Sequence, residues 1–91
     1  MHRQPLKRMR LRKSSMKELL TYIAKSLVDY PDDVRIEEKE SGGSVIFEVR
    51  VAESDMGKII GRQGRIIKEI RTLMKSVAQR QGKRVSVEIL D

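Results

Sequence analysis

The feature that most limits what this chain can fold into is a corner spelled by residues 58–71, from Lys58-Ile59-Ile60 through Gly61-Arg62-Gln63-Gly64 to Arg65-Ile66-Ile67-Lys68-Glu69-Ile70-Arg71. Two glycines enclose Arg62 and Gln63, an apolar pair leads in, and neither glycine nor proline recurs until Gly82. Beyond the corner, Ile66, Ile67, Ile70, Leu73, Met74 and Val77 repeat at helical spacing, which predicts a helix from Arg65 to Gln81 with one buried face. Lys68, Arg71 and Lys75 fall together on a separate flank of that helix, and Arg65 stands at its start beside the corner. A corner bare of Cβ atoms admits close approach of another backbone, and the cations require that object to be anionic. A sugar-phosphate chain meets both conditions.

Charge along the rest of the chain is strongly segregated. Residues 56–84 hold nine Lys or Arg and one acid, Glu69, whereas residues 29–55 hold nine acids against three cations. Residues 1–15 add six Lys or Arg and no acid. The formal net charge of +7 therefore conceals a basic half, an acidic half and a basic arm, a distribution suited to a polyanion bound on one side. A membrane surface is the competing ligand for a basic stripe. The single Phe, the lack of Trp and the lack of a long apolar run all weigh against it.

Catalysis finds little support in the residues. No cysteine is present, so neither a disulfide framework nor a thiolate-ligated metal can be built. The one histidine is His2, and the adjacent carboxylates Asp32-Asp33 and Glu37-Glu38 read as solvated. Gly57-Lys58 is followed by Ile59, where a nucleotide-binding P-loop needs Ser or Thr. The expectation is a non-enzyme with no cofactor and no small-molecule substrate. The basic start lacks the apolar stretch of a secretory signal, and a cytoplasmic setting is expected.

Residues 1–15 read as a flexible basic arm and 16–91 as one domain. Ser15 and Glu18 suit a capping box for a helix whose apolar face is Leu19, Leu20, Ile23, Ala24 and Leu27, and Tyr30-Pro31 stops it. A short strand is expected from Val34 to Lys39, a hairpin turn at Ser41-Gly42-Gly43-Ser44, and a second strand from Val45 to Val51. There Val45, Phe47, Val49 and Val51 share one side and Ile46, Glu48 and Arg50 the other. Ser54 or Asp55 then caps a short helix from Met56 to Ile60, in which Gly57 permits close helix packing. After the long helix, Gly82 is the C-cap and a last strand covers Val85 to Leu90.

This α-β-β-α-α-β order, joined to the IGRQGRIIKEIR segment, resembles the type II (prokaryotic) KH domain. More narrowly, residues 16–91 are similar to the short single-KH RNA-binding proteins of bacteria, the KhpA-like family. The resemblance implies an α+β fold whose three-stranded mixed sheet carries its helices on one face, with a groove between the glycine corner and the final strand. It implies that Gly61 and Gly64 allow close approach, that Arg62 and Gln63 face a nucleic-acid backbone, and that the corner's N–H groups and the helix start at Arg65 attract phosphate. Lys58, Lys68 and Arg71 are further phosphate contacts on this reading. Ile60 and Ile67 form an apolar floor for bases, and Val87 or Ile89 lines the far wall.

The implied ligand is single-stranded RNA. The implied partner is a second copy of the chain or a larger KH/R3H-type RNA-binding protein. The implied role is RNA-chaperone-like or post-transcriptional, with effects on cell envelope synthesis and cell shape. None of the aromatics Tyr22, Tyr30 and Phe47 lies near the corner, so base stacking on aromatic rings is not expected and sequence discrimination should be low. The alternative is a protein–protein interaction module or ribosome-associated assembly factor with little RNA specificity of its own.

Overall fold

The computed structural model describes residues 13–91, with side chains from Met16 onward. Helix α1 spans Lys13–Leu27, strand β1 Arg35–Ser41, strand β2 Ser44–Arg50, helix α2 Met56–Ile60, helix α3 Arg65–Arg80 and strand β3 Arg84–Leu90. The expected order is thus present. Helix α1 begins ahead of Ser15, which lies inside its first turn rather than before it. The capping role of the Ser15 side chain, and residues 1–12 of the expected arm, lie outside the described residues.

Pairing in the sheet dictates where the corner sits. β1 and β2 are antiparallel across the Gly42-Gly43 turn, with Ser41 opposite Ser44. β2 and β3 are parallel neighbours, and the strand order β1-β2-β3 leaves β3 at an edge. Parallel neighbours cannot be joined by a tight turn, and the chain must leave the sheet and cross over one face. Residues 51–83 make that crossover, so α2, the glycine corner and α3 are held above the sheet by topology alone.

The alternation expected of β2 is observed: Val45, Phe47 and Val49 are buried beneath the helices, and Ile46, Glu48 and Arg50 face the other way. The core is completed by Met16, Leu20 and Ala24 from α1, Ile59 from α2, Ile67, Ile70, Met74 and Ala78 from α3, and Val87 from β3. No helix of the described residues is long and apolar enough to cross a membrane.

One buried carboxylate ties the start of the crossover to the end of α1. The expectation of a helix cap at Asp55 is half met. The residue occupies the N-cap position of α2 but makes no side-chain cap there. Its side chain is instead fully buried and accepts hydrogen bonds from the backbone N–H groups of Asp29 (3.1 Å) and Tyr30 (3.0 Å). Those two amides follow α1 at Leu27, so the buried carboxylate fixes the chain leaving that helix. Gly57 also departs from expectation. Nothing lies within 4 Å of where its Cβ would be, so the residue faces open space and permits no close helix packing.

Asp55→Ala should therefore remove two partly buried hydrogen bonds and lower stability by roughly 1–3 kcal/mol in urea unfolding. A loss under about 1 kcal/mol would show that the tie between α1 and α2 is dispensable.

Candidate nucleic-acid interface

α2 ends at Ile60 and α3 begins at Arg65, so Gly61 through Gly64 make the entire connection. The two glycines in it serve different ends. Gly61 has φ 79° and ψ 173°, a region essentially closed to residues with side chains. A Cβ there would fall 2.6 Å from Cγ1 and 2.8 Å from Cβ of Ile66. Its bareness thus admits Ile66, and the close approach expected of a ligand at Gly61 is taken up inside the protein. Gly64, at φ 73° and ψ 16°, has nothing within 4 Å of a Cβ position. It is the glycine that opens outward.

Gln63 is also left-handed, at φ 57° and ψ 27°, an uncommon conformation for a residue with a side chain. Arg62, Gln63 and Gly64 form one tight turn, closed by hydrogen bonds from the Gly64 N–H to Gly61 O (3.1 Å) and from the Arg65 N–H to Arg62 O. The Gly61 N–H donates to Gly57 O. The reservoir of corner amides expected from the sequence is therefore smaller: those of Gly61, Gly64 and Arg65 are bound internally. Those of Arg62 and Gln63 have no acceptor among the described residues, and both side chains are exposed.

The cations divide by what they touch. Lys58 Nζ lies 3.3 Å from Oδ2 of Asp29 and 3.8 Å from Oδ1 of Asp55, so these carboxylates compete with any phosphate for its charge. Arg71 Nε donates to the backbone oxygen of Val87 across 3.0 Å, bridging α3 to the edge strand. Arg62, Arg65, Lys68 and Lys75 are exposed and have no carboxylate partner among the described residues.

Between α3 and β3 runs a groove of about 320 Å³ lined by Arg71, Lys75, Val85, Ser86, Val87 and Glu88. Arg65 and Lys68 border a separate shallow depression along α3 with Glu69, Thr72, Leu73 and Ser76. On the flank expected to hold Lys68, Arg71 and Lys75, Arg71 and Lys75 line the groove against β3 and Lys68 borders the neighbouring depression.

The apolar floor also needs correction. Ile67 is only 7% exposed and belongs to the core, so it offers a base almost no surface. Ile60 is half-buried and packed on the core edge, and Ile66 covers the corner as described. On the far wall Val87 is buried and Ile89 half-buried. The sequence reading missed the Arg71–Val87 bond and the left-handed Gln63. No local pattern signals the first, because it joins residues 16 apart in different elements.

A three-stranded mixed sheet with helices on one face, in the order α-β-β-α-α-β and with a GxxG turn between the crossover helices, defines a type II KH domain. A family model described as KhpA/KhpB, KH domain matches residues 17–89, and the chain belongs to that family. Among curated relatives, a protein of Chlamydia pneumoniae named RNA-binding protein KhpA is 55% identical over 76 residues, covering 84% of this chain and 97% of the relative. The protein of the same name from Clostridium acetobutylicum is 56% identical over 75 residues, covering 82% of this chain and all of the relative. The fold is further matched by a crystal structure of an Aquifex aeolicus Era variant bound to GDP and AlF4−. The TM-score is 0.58 at 22% identity, covering 81% of this chain and 29% of that one.

The two glycines should separate on substitution. Gly61→Ala combines a forbidden backbone with a collision against Ile66 and should cost roughly 2–5 kcal/mol in thermal or urea unfolding. Gly64→Ala meets open space and should cost about 1–2 kcal/mol for its left-handed backbone alone. Equal losses at the two sites would contradict the assignment of Gly61 to internal packing.

Proposed function

We propose that this chain is a non-catalytic, cytoplasmic RNA-binding protein that holds single-stranded RNA along the GRQG corner, the basic face of α3 and the groove against β3. The observation that carries the proposal is the outward turn of Arg62, Gln63 and Gly64, continuous with Arg65, Lys68 and Lys75, which lack carboxylate partners among the described residues. Such a surface offers unpaired N–H groups and mobile cations to a phosphate chain that can pass close to Gly64. The relatives named RNA-binding protein KhpA support the same reading. The turn of a KH domain clamps a short run of backbone nucleotides, and unpaired bases are the usual targets of RNA recognition.

One such groove without aromatic stacking gives modest, salt-sensitive affinity. The proposal therefore includes a second KH unit, supplied by another copy of the chain or by a larger KH/R3H-type partner, which raises occupancy through effective concentration. An RNA-chaperone or post-transcriptional role with effects on cell envelope and cell shape follows from the resemblance drawn on the IGRQGRIIKEIR segment. A second reading, a protein-interaction module or ribosome-associated assembly factor, rests on the exposure of Tyr22 (72%) and Leu73 (43%) on the helical side. Sedimentation with and without ribonuclease separates the two, since assembly that survives RNA removal belongs to the module.

Replacing Arg62 and Gln63 together by Asp should abolish crosslinking to single-stranded RNA while leaving the melting curve unchanged, because both side chains are exposed and Asp tolerates the left-handed backbone at position 63. Retained crosslinking would remove the corner from the interface. Lys68→Ala should lower the slope of log affinity against log salt by about 0.7. Lys58→Ala, whose ammonium faces two carboxylates, should leave that slope unchanged. A larger change at Lys58 than at Lys68 would reverse the assignment.

A further inference from the structure

The groove between α3 and the middle of β3 does not end there. Lys75, Val85 and Ser86 also line a second hollow of about 350 Å³, whose other walls are Gln79, Lys83 and Arg84. The two hollows share that lining, so the groove runs on to the end of the sheet that carries the Gly42-Gly43 turn. Lys83 is paired there with Glu40 at 2.6 Å, whereas Arg84 is exposed and has no carboxylate partner among the described residues. Helix α1 starts toward the same end. The chain leaving it is fastened at the opposite end, where Asp55 binds the Asp29 and Tyr30 amides and Arg35 pairs with Arg50. Met16, Leu20 and Ala24 are all buried, so α1 lies along the core for its length of about 22 Å, close to the roughly 23 Å of β1. Residues 1–12 therefore join the domain at the end where the groove opens out.

We propose that residues 1–12 form a second phosphate-binding site: a single strand of RNA that has passed the corner and the groove leaves the domain at Arg84 and is met there by Arg3, Lys7, Arg8, Arg10 and Arg12. The segment holds five cations and no acid, and it lies ahead of residue 17, where the match to the KH family begins. Arg8, Arg10 and Arg12 alternate with Met9 and Leu11, a spacing that puts three guanidinium groups on one side of an extended chain, roughly 6.6 Å apart. Fully extended, the segment reaches roughly 40 Å, well beyond the length of α3 at about 24 Å. Lys75, Lys83 and Arg84 at the groove mouth carry the same sign of charge as the segment, so a polyanion is what brings the two together. Arginine-rich segments order on RNA in this way, and contacts to phosphate position a strand without reading its bases. The inference rests on the RNA-binding reading above and extends it by a site outside the KH domain.

The test is fluorescence anisotropy of the full chain with two unstructured RNAs, a tetramer of the length that a KH turn clamps and a dodecamer. The tetramer should bind R8Q/R10Q/R12Q as it binds the wild-type chain. The dodecamer should bind that variant more weakly, with the slope of log affinity against log salt lowered by about 2, or about 0.7 for each of three lost contacts. R8K/R10K/R12K keeps the charge and should keep the wild-type slope. R84A should weaken the dodecamer more than the tetramer. In the R84A background the R8Q/R10Q/R12Q substitutions should then change dodecamer affinity less than in the wild-type chain, because the strand is no longer guided to them. Equal weakening of both lengths, an unchanged dodecamer slope, or full additivity with R84A overturns the assignment while leaving the corner and groove in place. Failure of the wild-type chain to bind either RNA overturns RNA binding itself, and the assignment with it.

Discussion

The space that Gly61 leaves empty, filled by Ile66, is the constraint on which the rest of this structure depends. With a side chain at that position, the first turn of α3 could not fold back against the end of α2. Because it does, four residues suffice to join the two helices, and Arg62 and Gln63 are pushed outward in a turn too tight to bury them. The sheet supplies the complementary constraint. Parallel pairing of β2 with β3 demands a crossover, and the crossover lays α3 alongside the sheet edge, where its cations meet an open strand. Exposure of the corner and formation of the groove are consequences of packing and topology respectively.

Charge is sorted on the same frame. Lys58 is held by Asp29 and by Asp55, the buried carboxylate that also fastens the chain after α1 to the start of α2. Lys39 pairs with Glu48 and Lys83 with Glu40, both away from the corner. Arg71 is bound through Nε to the Val87 carbonyl and lines the groove. Of the cations without carboxylate partners among the described residues, Arg62, Arg65, Lys68, Lys75 and Arg80 follow the corner and α3, while Lys17 and Lys25 stand apart on α1. A nearly balanced surface elsewhere thus directs a polyanion to one side, where long-range attraction and short-range contacts coincide.

Much of this was legible in the chain because it is local. The period-two pattern of Val45 to Val49 placed β2, Gly42-Gly43 placed the hairpin, and the spacing of Ile67, Ile70 and Met74 placed the buried face of α3. The outward setting of Arg62 and Gln63 followed from the GxxG turn. Where the reading failed, the deciding contact lay outside its window. Asp55 reads as a helix cap until the amides of Asp29 and Tyr30, some 25 residues earlier, are brought to it. Lys58 reads as a phosphate ligand until Asp29 folds beside it, and the packing role expected of Gly57 falls to Gly61 once Ile66 is placed. Ile67 carried both meanings in the sequence, floor and core, and its burial among the helices decides for core.

The central claim, that a nucleic-acid strand runs from the corner into the groove, is tested most directly by following backbone amide resonances while an unstructured RNA octamer is titrated in. The account predicts progressive shifts at Arg62 and Gln63, continuing through Arg65 and Lys68 to Val85 and Val87, with Ile36 and Lys39 on the opposite edge strand unmoved. Shifts confined to β1 or to α1, with the corner silent at saturation, would contradict it.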